Sequence, residues 1–212
     1  MLGAIIIQLP ILIFAITVHE FSHGWMAVKC GDDTPRIFGR LTFNPIPHID
    51  PIGTILFPIL AFITGYPIFG WARPVPINPL RFNNYRVDSM KTAFAGPLAN
   101  FLVALLSAVL IWLLKAFLPA GSSLTNVLVA PFGILDYNIW INLVLAVFNL
   151  IPVPPLDGSR ILSGLLPPDM AFRYERMGSF GFIIILILLY SGFMRLIFGI
   201  VQILHKLLYL AL

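Results

Sequence analysis

The feature that most constrains this chain is a long apolar run interrupted by two histidines and a glutamate. Between positions 5 and 28 the only ionisable side chains are His19, Glu20 and His23. A run of that length spans a bilayer as a helix, because a helix satisfies its own backbone hydrogen bonds in lipid. Ionisable groups at that depth are costly and usually mark function. The run therefore predicts a membrane helix that carries a functional site.

The spacing of these residues indicates the kind of site. His19 and His23 are four residues apart, which on a helix places both imidazoles on one face, about one turn apart. An H-E-x-x-H pattern on a helix predicts two metal ligands, with Glu20 as general base for a metal-bound water. A structural ion pair is the alternative interpretation, but it leaves three ionisable groups in an apolar helix without a chemical role.

The composition indicates an all-α, polytopic helical membrane protein. Hydrophobic residues make up 59% of the chain and charged residues only 10%, which excludes an ordinary soluble domain. The net charge of +4 comes without a basic run long enough to follow a phosphate backbone. We therefore expect the lipid bilayer as a partner, no nucleic acid, and one membrane-embedded domain over residues 1–212.

The apolar segments predict the helices of this domain. We expect core helices over about residues 2–28, 90–118 and 134–156, and one or two C-terminal helices over about 177–210. The last segment either crosses the bilayer or ends in an amphipathic helix on its surface, because its polar residues are spaced to share one face.

Four shorter segments connect these helices. Residues 51–70 are apolar, but their uninterrupted run is short for a bilayer, which predicts a re-entrant segment rather than a crossing. Residues 37–44 lie before two prolines and predict a short β-like strand on the cytoplasmic side. We expect an uncharged loop over 119–133 and a polar loop over 157–176.

Asp157 is the best candidate for a third metal ligand. A catalytic zinc takes three protein ligands and keeps one position open for water. An aspartate before a glycine is by itself more often a turn residue. For Asp157 and His23 to reach one ion, however, their helix ends must face the same side of the membrane. That condition requires an even number of crossings between them and agrees with the re-entrant segment.

The distribution of positive charge places this site. Loops 29–50, 71–91 and 157–176 hold nearly all lysines and arginines, whereas the N-terminus and loop 119–133 hold none. Cytoplasmic loops carry the excess of positive charge in membrane proteins. We therefore expect the site to lie toward the cytoplasmic face, in the plasma membrane of a bacterium or archaeon.

Three blocks of the sequence occur in the order of a known family: residues 19–23 (HEFSH), 96–100 (GPLAN) and 149–158 (NLIPVPPLDG). With these blocks the chain resembles the site-2 protease family of intramembrane zinc metallopeptidases, as a compact member without PDZ or CBS domains. The resemblance implies that His19, His23 and Asp157 bind Zn²⁺ and that Glu20 is the catalytic base and acid. It also implies a transmembrane protein substrate, cleaved within or next to its membrane helix.

Three further polar residues have open roles. The resemblance implies that Asn149 helps to bind substrate or to stabilise the oxyanion, and a buried amide can donate to a developing negative charge. A helix-packing hydrogen bond is the alternative for Asn149 and the default interpretation of Asn100. His48 is either a further ligand, a gate, or a solvated loop histidine.

The alternative function is a zinc-binding or zinc-transporting membrane protein without peptidase activity. Transport favours ligands distributed along a path through several helices, whereas the ionisable residues here cluster at one end. Glu20 also has a chemical role only in hydrolysis. The sequence therefore favours the peptidase and leaves the substrate, the trigger and the oligomeric state open.

Overall fold

The computed structural model describes residues 2–64, 71–117 and 124–210, and the described elements are helical. A π-helical turn, Pro51–Leu56, leads directly into α3, and 3-10 turns lie at Ile46–His48 and Pro79–Arg81. In chain order the α-helices are α1 (Leu2–Lys29), α2 (Thr34–Ile37), α3 (Phe57–Thr64), α4 (Tyr85–Phe117), α5 (Leu124–Asn149), α6 (Asp157–Leu165), α7 (Pro168–Arg176), α8 (Gly178–Tyr190) and α9 (Phe193–Leu210).

Within the described residues, four helices are long and apolar enough to cross a membrane: α1, α4, α5 and α9. Each could span a hydrocarbon core of about 30 Å. The predicted fold class, an all-α polytopic membrane protein, is confirmed by this architecture.

The core of the bundle lies between α4, α5 and α9. On α4, the small residues Ala104 and Ala108 are buried and leave room for α5 to approach closely. Ile139 and Leu143 of α5 are completely buried against them. The third side of the core is the apolar face of α9, with Ile197, Val201 and Leu208.

The end of α1 and the start of α4 lie side by side. The backbone N–H of Asn83 donates to the Cys30 carbonyl at 2.9 Å, and the backbone N–H of Asn78 donates to the buried Asp32 carboxylate at 2.6 Å. The chain between α1 and α4 therefore returns to the end from which it left. Its apolar part, the π turn with α3, is shorter than a spanning helix, and both facts agree with the predicted re-entrant segment. Residues 65–70 of that prediction lie outside the described residues.

The predicted strand over residues 37–44 is not formed. Ile37 ends α2, and residues 38–44 are turns and bends. The Asp32 carboxylate accepts the backbone N–H of Thr34 at 3.0 Å, and Pro35 follows inside the first turn of the helix. This turn at Asp32, the proline in the first helical turn and the left-handed φ of +63° at Gly39 favour a helical turn over an extended chain.

Two predicted loops are helical instead. Helix α5 begins at Leu124, so most of the predicted loop 119–133 is helix. Residues 119–123 of that prediction lie outside the described residues. Pro131 lies inside this helix, and membrane helices tolerate proline. The polar stretch 157–176 forms the amphipathic helices α6 and α7, whose alternation of polar and apolar residues has a helical period.

The C-terminal segment consists of two helices. Gly192, with a φ of +83°, separates α8 from α9. A positive φ ends a helix at little cost only when the residue is glycine. The apolar face of α9 packs on α5, and its polar residues are exposed on the other face, namely Arg195, Gln202 and Lys206.

Replacing Gly181 by alanine tests how α8 packs. A Cβ at this position would lie 1.9 Å from the backbone oxygen of Pro154, which cannot rotate away as a side chain can. We expect Gly181→Ala to lower the free energy of unfolding by about 1–3 kcal/mol, measured by denaturant unfolding in detergent. Gly199→Ala in α9 is the control, because nothing lies within 4 Å of its Cβ. Equal stability of the two variants would contradict the packing of α8 on Pro154.

Candidate metal centre

Three side chains from two distant parts of the chain meet at one point. His19 and His23 extend from one face of α1, and Asp157 is the first residue of α6. The Nε2 atoms of the two histidines are 3.0 Å apart, and the Asp157 Oδ2 atom lies 3.1 Å from one and 3.2 Å from the other. Both imidazoles are buried, at 7% exposure. The structure thus brings together the three residues that the sequence suggested as ligands.

The other ring nitrogen of each histidine faces an oxygen on α4. His19 Nδ1 lies 2.5 Å from Asn100 Oδ1, and His23 Nδ1 lies 2.7 Å from the Thr92 carbonyl oxygen. A carbonyl oxygen only accepts, so each Nδ1 carries the proton and donates it. Each Nε2 is then left with a free lone pair. The two α4 acceptors thereby set the tautomer that suits a metal ligand.

A hydrogen-bond network sets the orientation of Asn100. Its amide nitrogen donates to the Ala15 carbonyl at 3.1 Å and to Asn142 Oδ1 at 2.7 Å, which leaves Oδ1 facing His19. Asn142 donates in turn to Asn138, and Asn138 donates to the Ser107 hydroxyl at 2.8 Å. This chain of amides links α1, α4 and α5 inside an apolar bundle, so its members are satisfied although buried.

The chemistry of this donor set fits a bound cation. Two imidazole lone pairs and a carboxylate converge within 3.2 Å of one another, and such groups repel unless a positive charge lies between them. The surroundings leave space for them, because α4 carries no side chain at Gly96. A Cβ at that position would lie 2.4 Å from His23 Nε2. Two nitrogen ligands and one oxygen ligand with one position left open is a zinc arrangement.

The turn between α5 and α6 fixes Asp157. Gly158 packs against the preceding chain so closely that a Cβ would lie 2.2 Å from the Leu150 carbonyl oxygen. From the other side, the Tyr174 hydroxyl of α7 donates to the Pro152 carbonyl at 2.7 Å. Because burial raises the pKa of Tyr174, this hydroxyl keeps its proton for the hydrogen bond.

Glu20 is held by a backbone amide from the segment 71–78. The N–H of Val75 donates to Glu20 Oε2 at 2.9 Å. Two alternate residues of this segment are fixed in the same way: the Trp71 amide donates to Gly53 and the Arg73 amide donates to His48. Donation by alternate residues is the geometry of an extended chain. The segment therefore lies across α1 with its amide groups directed at Glu20 and at the turn before α3.

Arg40 lies near this carboxylate, and Arg73 lies near Arg40. Arg40 is half-buried and Arg73 is exposed, and the Arg40 guanidinium donates to the Pro47 carbonyl. Burial lowers the pKa of Arg40, the positive charge of Arg73 lowers it further, and the charge of Glu20 raises it. Arginine stays protonated in proteins, so the positive charge of Arg40 acts on the Glu20 carboxylate.

Two other residues considered in the sequence lie apart from the three convergent groups. Asn149 is the last residue of α5, and its amide donates to the Leu145 carbonyl of the same helix at 3.0 Å, so its role in catalysis stays a prediction. His48 is 1% exposed, which excludes a solvated loop histidine. Its Nε2 lies 3.0 Å from the Thr42 carbonyl oxygen, and His48 is outside the one cluster of potential ligands that the described residues contain.

The sequence did not indicate every group around the centre. Asn100 was assigned to helix packing, although its position four residues after Gly96 places both on one face of α4. That shared face was the available signal. The Thr92 carbonyl and the Val75 amide are backbone groups, which every residue has, so no residue type could have marked them.

Comparison with known proteins agrees with this geometry. The profile of peptidase family M50 matches residues 7–130 and 121–190, which is most of the chain. The chain belongs to peptidase family M50. The resemblance to the site-2 proteases is thereby confirmed, and the protein is a multi-pass membrane metallopeptidase whose cofactor is Zn²⁺.

Named relatives of the metallopeptidase come from several bacteria. YwhC of Bacillus subtilis (strain 168), named provisionally as a zinc metalloprotease, is 42% identical over 182 residues, which cover 84% of this chain and 77% of YwhC. Rip2 of Mycolicibacterium smegmatis, with the same provisional name, is 27% identical, covering 88% of this chain and 68% of Rip2. The regulator of sigma-E protease RseP of Salmonella typhimurium is 36% identical over 121 residues, 53% of this chain but 26% of RseP. No solved structure matches the chain.

Replacing Asn100 by alanine tests the hydrogen bond to His19. The variant removes the acceptor of the Nδ1 proton, and losing such a partner of a metal ligand lowers metal affinity roughly 10- to 100-fold. We expect Asn100→Ala to show this loss in a competition titration of zinc with a chelator.

Ser107→Ala is the matched control, because Ser107 lies at the far end of the same chain of amides. We expect this variant to change stability but to leave zinc affinity within about twofold, since the bond between Asn100 and His19 is kept. Equal zinc affinity of both variants would show that Asn100 does not position His19.

Proposed function

We propose that this metallopeptidase is an intramembrane zinc endopeptidase that hydrolyses peptide bonds within or next to transmembrane segments of membrane-protein substrates. The observation that carries the proposal is the convergence of His19, His23 and Asp157 inside a bundle of membrane-length helices. In a metallopeptidase, ligands among membrane-length helices favour substrates that are themselves in the membrane.

In this proposal His19, His23 and Asp157 hold the zinc ion. When bound, zinc lowers the pKa of a water ligand toward neutrality and polarises a carbonyl oxygen. The protein supports the ion through the acceptors on α4, which keep the Nε2 lone pairs free. The missing side chain at Gly96 leaves the space that both imidazoles need.

Glu20 acts as general base and then as general acid. It takes a proton from the attacking water and returns it to the nitrogen of the leaving amine, so the carboxylate ends the cycle as it began. The N–H of Val75, at 2.9 Å from Oε2, supports this role because it fixes one carboxylate oxygen and leaves the other to receive the proton.

The centre is proposed to lie toward the cytoplasmic face of a plasma membrane. It is close to the ends of α1 and α5 and to the start of α4, where Arg86 and Lys91 are exposed. The positive-inside tendency assigns this charged end to the cytoplasm. A helical substrate hides its carbonyl groups in its own hydrogen bonds, so it must unwind locally before Glu20 and the metal can act on it.

Replacing Glu20 by glutamine tests the base. We expect Glu20→Gln to bind zinc as the wild type does, because the three proposed ligands are unchanged. Cleavage of a synthetic transmembrane peptide in detergent should fall by roughly 10²- to 10⁴-fold, the usual contribution of a general base.

Asp33→Asn is the control, since Asp33 is exposed and its carboxylate contacts only Arg36 among the side chains described. It should keep both zinc and activity. Normal cleavage by Glu20→Gln would disprove the role of Glu20. Zinc flux into vesicles, with no cleavage by the wild type, would instead support the transporter.

Replacing Val75 by proline tests the amide that holds Glu20. Proline removes the N–H, and an extended conformation accepts it because Val75 already precedes Pro76. We expect a fall of roughly 10- to 100-fold in kcat, since a displaced catalytic group loses this much, with zinc content unchanged.

Val75→Ala is the control for the lost side chain, because it keeps the amide donor. It should retain most of the wild-type kcat. Equal losses in the two variants would show that the packing of Val75, and not its hydrogen bond, supports Glu20.

A further inference from the structure

A cavity of about 580 Å³ lies beside the metal centre and has no part in the chemistry described above. It is open on one side and is lined by the start of α4, by helices α6 and α7, and by the end of the segment 71–78. Its volume is within the roughly 300–1,000 Å³ range of ligand-binding sites. Most of its lining residues are apolar or aromatic, and Phe82, Ala171 and Phe172 are examples.

The cavity is connected to the metal centre through Thr92. This residue lines the cavity, and its carbonyl oxygen accepts the Nδ1 proton of His23. Pro155 and Ser159, which also line the cavity, lie two residues on either side of Asp157. One part of the cavity wall is therefore the turn and the start of α6 that hold Asp157. Another part is the residue of α4 that accepts the hydrogen bond of His23.

Helix α4 shows on which side of the metal the cavity lies. Thr92, Gly96 and Asn100 contact the histidines, whereas the cavity is lined by residues from Tyr85 to Thr92. The cavity thus extends roughly 10 Å from the metal centre toward the start of α4, at 1.5 Å per residue. That end of the bundle is charged, so the cavity lies between the metal and the membrane surface.

The position of the cavity favours a peptide over a lipid chain. Its inner part contains the buried hydroxyls of Ser159 and Ser163, and its rim contains the exposed arginines Arg86 and Arg160. Ser163 donates to Glu175, and Arg86 donates to the carbonyls of Gly164 and Leu166. Because these polar groups bind within the chain, the occupant is indicated by the apolar walls and by the adjacent metal centre. A peptide under cleavage must lie at that centre, so its neighbouring side chains can reach the cavity.

We infer that this cavity is a substrate subsite, which binds the extended residues between the scissile bond and the membrane surface and buries a large apolar side chain from them. The inference rests on the proposed function. It also names a property of the substrate: a bulky apolar residue on the surface side of the cleaved bond, rather than on the side within the bilayer.

Replacing Ala171 by tryptophan tests the subsite by filling it. Ala171 lines the cavity from α7, whereas the neighbouring Met170 is exposed and outside it. Two series of synthetic transmembrane peptides would carry Gly, Leu or Phe at successive positions on either side of the scissile bond. For Leu and Phe on the surface side, we expect Ala171→Trp to raise KM about tenfold, while the Gly peptides change by less than about twofold.

Met170→Trp is the matched control and should cleave every peptide as the wild type does. If Ala171→Trp treats bulky and small residues alike, the subsite is disproved although the peptidase stands. If the wild type cleaves no peptide in either series, the proposed function itself fails.

A binding experiment decides the matter if Ala171→Trp does not fold. The Glu20→Gln variant, with its zinc, would be incubated with peptides that carry a photo-crosslinking phenylalanine analogue at each position. Crosslinks from surface-side positions to residues 157–176 would support the subsite. Crosslinks from these positions only to other parts of the chain, such as residues 37–64, would overturn it.

Discussion

The structure depends on three electron-pair donors held close together where water is scarce. His19, His23 and Asp157 approach within 3.2 Å of one another among apolar helices. Burial makes their mutual repulsion stronger, because a low dielectric weakens electrostatic interactions less than water does. A bound cation offsets that repulsion. The surrounding elements therefore have to fix the donors in place before the ion binds, which is the usual condition for a selective metal site.

Helix α4 does most of this work with one face. Thr92, Gly96 and Asn100 follow each other at intervals of four residues, the same interval that separates His19 from His23 on α1. They contribute a backbone carbonyl, an absent side chain and an amide, respectively. Because both sets of residues recur once per helical turn, each histidine lies opposite one position of α4. These contacts set the register of α1 against α4. Further along the same helix, Ala104 and Ala108 continue the face as the small residues that pack in the core.

Much of this arrangement could be predicted from sequence, and the exceptions have physical reasons. Ionisable residues in an apolar run are visible in any sequence, so His19, Glu20 and His23 can be predicted from the run itself, and the membrane fold follows from composition. Asp157 needs the number of membrane crossings as well. The position of residues 37–44 before two prolines favours a strand, but the hydrogen bond from Thr34 to Asp32 and the following Pro35 start a helical turn there instead. The predicted loop over 119–133 is wrong for residues 124–133, which are helical although they include Pro131 and Gly133, because membrane helices tolerate both residues. Asn100 shows the deeper limit, since an amide that packs and an amide that orients a ligand look the same until the partner is located.

The base and the proposed metal ligands depend on different supports. The histidines are held by helix-to-helix contacts between α1 and α4, whereas Glu20 is held by a non-helical segment that follows the re-entrant part of the chain. Asp32 fixes the other end of the same segment by accepting a hydrogen bond from the backbone N–H of Asn78. The carboxylates of Glu20 and Asp32 thus bind one stretch of backbone. The same stretch donates hydrogen bonds to the Gly53 and His48 carbonyls, so its position depends on the chain just before α3. A displacement of that part of the chain would move the amide that holds Glu20 while leaving the metal donors in place, so proton transfer is the step of the proposed reaction most sensitive to the chain between α1 and α4.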